Sequence, residues 1–440
     1  MPYDLLIIGG GINGTAIARE AALNRLKTLL VERDDLASHT SSASTKLIHG
    51  GLRYLEHYEF RLVREALKER TLLMKAAPHL IEPMTFVLPQ TESSRPWLMV
   101  RAGLLLYDLL AGRSPLPWAR RLKTSDVAFQ APLKRAGSGF VYMDCKVDDS
   151  RLTVLNAVDA ARNGAEVRTR TALVSARRED GSWQVTLSDG SSVAARAIVN
   201  AAGPWVAEAL ALTGINSANG VRLVKGSHIV VPRLYEGDHA YFLQQPDGRI
   251  VFVAPWQGAT FVGTTDTPVD DPADAKTDEA EIAYLCAAAN RYFRQQIAPD
   301  DVIHTWSGIR PLYNDGASAA QEVTRDYVLE LDTSGAPILS VFGGKITTAR
   351  HLAEEAVGKL AGAMGLPFRP MTRDATLPDL PIPDGGEDFG HGLTADKVDW
   401  LVENEWARTA EDILWRRTKL GLHFDAAQTR RLAAYLEGKT

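Results

Sequence analysis

The sequence predicts an α/β protein: a Rossmann-like nucleotide-binding domain, an α+β substrate domain built on an antiparallel sheet, and a small C-terminal helical domain. Three observations carry this. A β-α-β unit opens the chain, with Gly9-Gly10-Gly11-Ile12-Asn13-Gly14 between strand and helix and Glu32 at the end of the second strand. Short alternating β segments fill residues 221–266, and a Pro/Asp/Gly linker at 370–388 precedes a last helical stretch.

Residues 3–8 are a short apolar run suited to a buried parallel strand. The glycines follow, then a helix over 15–24 and a second strand over 28–31. Residues 60–73 place Leu62, Val63, Ala66, Leu67 and Leu73 at helical spacing. Residues 83–140 are irregular and rich in Pro, Arg and Trp, a departure from the nucleotide domain. Within them, 96–112 is the most apolar run, with Arg101 and Asp108 inside it and Arg95 and Arg113 at its ends. It is either a core helix or a helix lying in a membrane headgroup region.

Helical residues 151–162 lead back to the nucleotide domain. Four β segments at 166–170, 173–177, 183–187 and 192–199 are punctuated by the turns Asp180-Gly181 and Asp189-Gly190. Alternating strands at 227–231, 240–244, 250–254 and 260–263 read as a mainly antiparallel sheet, followed by a helix over 279–295. A buried strand at 338–342 runs into Gly343-Gly344-Lys345 and a helix through Leu360, and residues from 395 onward are helical.

At 440 residues the chain calls for two or three domains. Its 45% apolar and 23% charged content is that of a globular enzyme, and a net charge of −5 gives no general attraction to nucleic acid. Cys145 and Cys286 are the only cysteines and have no metal-ligand spacing, so a reducing compartment, no disulfide and no metal site are expected. No run of 18 apolar residues occurs, so no bilayer span is expected.

The glycine turn lets backbone N–H groups approach a pyrophosphate at a helix N-terminus, and Glu32 suits ribose hydroxyls. A tight turn plus a surface acid is the plainer reading of the same residues. FAD is favoured over NAD by the second glycine-rich strand end, Phe342-Gly343-Gly344-Lys345-Ile346-Thr347-Thr348. Its N–H groups and helix dipole could face the flavin where negative charge gathers on reduction. Residues 41–54 combine small hydroxyl residues, a Gly-Gly pair and the polar quartet Lys46, His49, Arg53 and Tyr54, a mixture suited to a charged cofactor beside an anionic substrate.

These segments strongly resemble FAD-dependent glycerol-3-phosphate dehydrogenase, the respiratory, quinone-linked family. The resemblance runs through residues 8–14, 40–65, 148–152, 200–205, 225–232, 263–266, 307–312 and 342–348, and in the C-terminal part through Trp406, Asp412, residues 415–419 and Gly421. It departs between Leu377 and Glu387, where a short Pro-rich connector stands in place of a longer helical section. The FAD-binding domain, of the glutathione-reductase and D-amino-acid-oxidase type, is expected in three parts, 1–82, 141–215 and 326–368. A substrate or cap insertion at 83–140, a substrate domain at 216–325, a linker at 369–388 and a shortened helical domain at 389–440 complete the division.

The implied FAD contacts are Gly9, Gly11, Ile12, Asn13, Gly14, Glu32, Arg33, Ser41, Ser42, Ser44, Thr45, Lys46, Leu47, His49, Gly50 and Gly51. Ala202, Gly203, Trp205, His228, Gly308, Gly344, Lys345, Ile346 and Thr347 complete that set. The implied reaction oxidises sn-glycerol 3-phosphate to dihydroxyacetone phosphate, a hydride leaving C2 for flavin N5 and electrons passing on to a quinone. Oxygen as acceptor, a related amine or amino-acid oxidase, and a flavin-stabilised protein without turnover stay open.

Arg53, Arg310 and Tyr54 would hold the phosphate, arginine because its planar fork meets phosphate oxygens bidentately. His49 is the leading base, Lys345 would stabilise the reduced flavin and the substrate oxygen, and Thr265 and Asp266 would line the cleft. Structural histidines, rim arginines and a capped turn are the plainer readings of these positions. The family also implies a peripheral protein on the cytoplasmic, inner face of the cell membrane, and a homodimer. The 96–112 helix and the basic residues Arg416, Arg417 and Lys419 are the candidate membrane contacts.

Overall fold

The computed structural model describes residues 2–92, 95–314 and 326–439. Along the chain run β1 (Tyr3–Ile8), α1 (Ile12–Leu23), β2 (Thr28–Val31), β3 (Leu47–Ile48), α2 (Phe60–Ala76), β4 (Ile81–Pro89), α3 (Trp97–Ala111), β5 (Arg120–Arg121), α4 (Val127–Gln130), β6 (Gly139–Val147) and α5 (Asp149–Arg162). β7 (Glu166–Arg168), β8 (Leu173–Glu179), β9 (Ser182–Leu187), β10 (Ser192–Asn200), α6 (Val206–Ala211), β11 (Val221–Val231), β12 (Ala240–Gln244), β13 (Ile250–Trp256), β14 (Ala259–Gly263) and β15 (Thr267–Pro268) follow. The chain ends with α7 (Glu279–Tyr292), β16 (His304–Tyr313), β17 (Tyr327–Asp332), β18 (Ile338–Gly343), α8 (Ala349–Ala363), α9 (Ala395–Glu405) and α10 (Ala426–Glu437).

The first sheet has the order β17-β18-β10-β1-β2-β7, with the β8–β9 hairpin added beside β10. β1 lies parallel to both β10 and β2 and is sealed on both faces. Alternate residues serve the two sides. Leu5 and Ile7 pack with Ile17, Leu155 and Leu352 of α1, α5 and α8, while Leu6 and Ile8 meet Trp183 and Phe342. The Asp180-Gly181 turn closes the hairpin with both residues at positive φ, 48° and 76°, the geometry that twisted two-residue turns require.

The second sheet runs β15-β11-β14-β13-β12-β4-β6-β3, with β16 on β11 and β5 on β6. Its pairs are antiparallel except β4 with β12. One face packs on α7 through Val87, Ile229, Leu243 and Leu285. The other carries Phe86, Tyr142, Val230 and Phe242 against Leu104 and Tyr107 of α3.

β3, β4 and β6 come from the N-terminal third yet belong to this second sheet. Residues 141–147, placed by sequence with the nucleotide domain, therefore pair with the other sheet. Residues 83–140 are also less irregular than their composition suggests, because β4 and α3 lie within them. The expected boundary at residue 325 lies outside the described residues.

The C-terminal helices close on Phe389, Val398, Leu401, Ile413, Leu414, Leu432 and Leu436. They dock on the nucleotide domain through buried ion pairs. Arg417 forks Asp35 at 2.7 and 2.8 Å, Arg416 reaches the same carboxylate at 2.7 Å, and Arg170 meets Asp412 at 2.6 Å. Arg416, Arg417 and Lys419 are thus buried, with Lys419 3.3 Å from Asp148. This corrects their reading as headgroup contacts: each is held by carboxylates and carbonyls inside the protein. No helix among the described residues is long and apolar enough to cross a membrane.

Candidate active site

The ends of β1, β10 and β18 converge on one cavity of about 520 Å³ running from Glu32, Arg33 and Trp205 to His49, Arg310 and Lys345. At its first end Gly9 leaves β1 with φ +109°, where a Cβ would lie 2.6 Å from the Ala201 carbonyl oxygen. The turn aims the N-terminus of α1 at the cavity, and the Ile12 N–H donates to Ser41 Oγ at 2.9 Å. Glu32 Oε2 accepts the Gly10 N–H at 2.6 Å and Oε1 accepts the Asp34 N–H at 2.8 Å. Burial raises the pKa of that carboxyl, and the two backbone donors oppose the rise. Arg33 stacks 4.0 Å over the Trp205 ring, and His39 leans on the same indole at 4.6 Å.

The other end is cationic on an aromatic floor. Arg310 projects from β16, opposite Val224 of β11. Its guanidinium pairs with Asp266 and donates to Thr264 Oγ1 at 2.9 Å, so its fork is held before any ligand arrives. Lys345 Nζ sits 4.0 Å from the Tyr54 ring centroid. Arg53 lines the same wall, and its buried Nε has no hydrogen-bond partner among the described residues. A buried donor without a partner costs stability unless a ligand supplies the acceptor. Phe86, Tyr142, Phe242 and Phe252 floor the cavity, Phe252 standing 6.3 Å from the His49 ring.

Burial, then the positive charges of Lys345 and Arg70, pushes His49 down to about 4, so the ring is neutral and able to accept a proton at neutral pH. Burial likewise holds His304 and His239 at about 4. Each of these rings takes its proton near pH 6.5 in the unfolded chain, roughly the free imidazole value. As pH falls the unfolded state therefore binds protons first, and stability is lost between about pH 6.5 and about pH 4. Thermal melts should show Tm falling across that window and less steeply in His49→Asn. A Tm flat down to the lower limit would contradict it.

Most residues singled out by sequence meet in this one space. Gly9, Gly11, Ile12, Asn13, Glu32, Arg33, Ser41, Ser44, Thr45, Leu47, His49, Gly51, Arg53 and Tyr54 line it. So do Ala202, Gly203, Trp205, Asp266, Gly308, Arg310, Gly344, Lys345, Ile346 and Thr347.

Six others do not reach the cavity surface. Gly14 and Gly50 serve packing: a Cβ on Gly14 would lie 1.9 Å from the Gly9 carbonyl oxygen, and one on Gly50 2.6 Å from Leu67. Ser42 turns outward to the His39 carbonyl at 3.2 Å. Lys46 points away, into a buried ion pair with Asp149 at 3.0 Å. Thr265 donates to Glu281 at 2.7 Å and accepts the Ser227 N–H at 2.9 Å. His228 stands one layer back, stacked on Trp306 at 4.8 Å and bonded to Thr45 Oγ1 at 3.1 Å.

Sequence reasoning overlooked Thr264 and the buried groups Arg70, Tyr107 and Asp144. Thr264 was findable, because successive side chains of an extended segment face opposite sides. Thr264 and Asp266 face Arg310 while Thr265 faces Glu281.

A glycine-turn nucleotide end joined to a cationic substrate end defines a dinucleotide-dependent oxidoreductase. The chain belongs to the FAD dependent oxidoreductase family, matching it over residues 4–350. It is 46% identical to a glycerol-3-phosphate dehydrogenase of Pseudomonas aeruginosa, covering 99% of this chain and 95% of the relative. It is 44% identical to the aerobic glycerol-3-phosphate dehydrogenase of Escherichia coli, covering 98% and 97%. A D-erythritol 1-phosphate dehydrogenase of Brucella abortus is 45% identical, with 99% and 97% covered. These alignments span 489 to 496 positions against 440 residues here, so the relatives carry segments that this chain lacks.

Among solved structures, the FAD complex of a glycerol-3-phosphate dehydrogenase from Bacillus halodurans superposes with a TM-score of 0.73 at 25% identity, covering 99% of this chain and 94% of the other. The protein is an FAD enzyme, and its residues fit that cofactor. A glycine-lined helix start and the Glu32 turn meet the nucleotide end. Gly343 and Gly344, at φ +83° and +103°, turn backbone toward the opposite end.

Proposed function

We propose that this enzyme oxidises the C2 alcohol of sn-glycerol 3-phosphate to the ketone of dihydroxyacetone phosphate and delivers the electrons to a quinone. The observation that carries the reading is the convergence of Arg53, Arg310 and Lys345 with a neutral, buried His49 at one end of the FAD cavity. FAD, when bound, would supply the two-electron acceptor for the hydride leaving C2. The chain's own residues do the rest. Arg310, pre-oriented by Asp266 and Thr264, and Arg53 bind the phosphate oxygens, with the Tyr54 hydroxyl as a neutral donor. His49 takes the proton of the C2 hydroxyl, and Lys345 steadies the negative charge gathering on that oxygen and on the reduced cofactor. The aromatic floor keeps water from the reacting carbon.

Anaerobic titration of the yellow holoprotein with glycerol 3-phosphate tests this. The flavin absorbance should bleach fully, then return on adding a short-chain quinone. Persistence of the yellow colour would reject the substrate. Return only in air, with one peroxide per turnover, would replace quinone by oxygen. The 45% identity to an erythritol phosphate dehydrogenase favours a second substrate of the same class. Relative kcat/KM for the two polyol phosphates decides between them.

We also propose that the protein lies on the inner membrane surface through α3. Leu98, Met99, Leu105 and Leu109 face outward from that helix, with Trp118 beyond its end, although Leu104 and Tyr107 anchor its inner side in the core. An apolar stripe flanked by Arg101 and Arg113 suits anionic headgroups. The holoprotein should co-sediment with anionic vesicles and lose binding in Leu98→Glu/Leu109→Glu. Failure to pellet at any salt concentration would end the idea.

A further inference from the structure

Beside His49 the fold buries three polar groups that the chemistry above leaves unused, Asp144 at the cavity wall and Arg70 and Tyr107 behind it. β3 pairs antiparallel with β6, Ile48 opposite Cys145, so Asp144 falls at the next position, level with His49. Asp144 is 2% exposed, and its Oδ1 accepts from Arg70 at 2.5 Å. The Tyr107 hydroxyl donates to the same carboxylate at 2.8 Å. That hydroxyl also accepts the Gly50 N–H at 2.8 Å. The direction of the chain is fixed by its ends. A backbone N–H can only donate and a carboxylate held by an arginine can only accept, so the tyrosine has a single orientation. Gly50 has no slack either, since a Cβ there would lie 2.7 Å from the Tyr107 oxygen.

We propose that Tyr107, Asp144 and Arg70 are positioning residues: a hydrogen-bonded brace, drawn from α3, β6 and α2, that fixes the His49–Gly50 peptide and so the distance from the imidazole to the substrate's C2 hydroxyl. The inference rests on His49 being the proton acceptor. A buried charge pair adds little stability over a well-packed apolar replacement, which turns attention to geometry. Arg70 donates in addition to the Met143 carbonyl at 3.1 Å, so the brace is anchored to β6 backbone as well as to its side chain. Low internal dielectric strengthens the hydrogen bonds of such a buried network, in which Arg70 Nε is the atom left without a partner among the described residues.

The test is anaerobic stopped-flow reduction of purified holoenzyme by glycerol 3-phosphate. Tyr107→Phe removes one oxygen and keeps the ring in its core slot. It should retain FAD and the wild-type half-saturation for substrate, while the limiting rate of flavin reduction falls about tenfold or more, the size of effect a sub-ångström displacement of a reacting group produces. A limiting rate within about twofold of wild type would overturn the brace, since an effect that small lies below about 0.5 kcal/mol. Should Tyr107→Phe lose its cofactor, Asp144→Asn is read instead on its FAD-bearing fraction, with the same fall expected and the same unchanged rate overturning the proposal. Wild-type enzyme that substrate cannot bleach would defeat the proposed function. Wild type and variant bleaching equally fast would defeat the brace alone.

Discussion

Arg310→Ala should keep its yellow FAD and lose about 10³-fold in kcat/KM for glycerol 3-phosphate, within the roughly 2–5 kcal/mol that truncating one partner of a buried charge pair costs. The guanidinium is held by Asp266 and Thr264 rather than by the cofactor turns, so its removal leaves the nucleotide end intact. Two effects then add. The phosphate loses a bidentate donor, and the Asp266 carboxylate loses its Arg310 countercharge while facing a dianion. Arg310→Lys should recover only part of the loss, because a single ammonium cannot meet both Asp266 and two phosphate oxygens as the planar fork does. Asp266→Asn separates the two contributions, since it removes the repulsion and keeps the fork. Steady-state kinetics with FAD content measured on the same samples decide it. Wild-type KM and kcat in Arg310→Ala would take Arg310 out of the phosphate site.

What the sequence disclosed and what it withheld divide along a physical line. Local signals survived folding well. The G-x-G-x-x-G spacing, the acid at the next strand end and the second Gly-Gly-Lys turn each specify backbone geometry within a few residues, and all open on one cavity. Side-chain direction was less legible. Lys46 reads as part of the polar quartet, yet it belongs to a buried pair with Asp149, a residue more than a hundred positions away. The same holds for Arg416 and Arg417, whose basic run suggests a surface and whose partner Asp35 lies near the other end of the chain. A charge run is solvated unless a distant carboxylate claims it, and no local pattern reports that. The sheet boundaries failed for a related reason. β4 and β6 are adjacent to nucleotide-domain helices in sequence, and only long-range pairing sends them to the other sheet. The brace beside His49 is the extreme case, since its members come from three elements and none forms a motif with another.

Gly14→Ala should abolish FAD retention through purification and destabilise the fold, the added methyl having no space at all. Its carbon would lie 1.9 Å from the Gly9 carbonyl oxygen and 3.1 Å from the carbonyl carbon, both rigid backbone. Relief requires α1 to lift from the end of β1. The helix cannot tilt freely, because Ile17, Ala18 and Ala21 are fully buried against α5 and α8. Overpacking of this kind costs about 1–3 kcal/mol and more where backbone is the obstacle. The functional loss should exceed the stability loss, since a small displacement of the α1 N-terminus takes several N–H donors and the helix dipole away from the pyrophosphate together. Gly103→Ala is the matched control: it adds the same methyl to α3 where nothing lies within 4 Å, and should keep full FAD content. Absorbance ratios of the two purified variants measure the difference. If both carry FAD like wild type, the close approach of α1 to β1 is not what seats the nucleotide, and the glycine turn serves chain reversal alone.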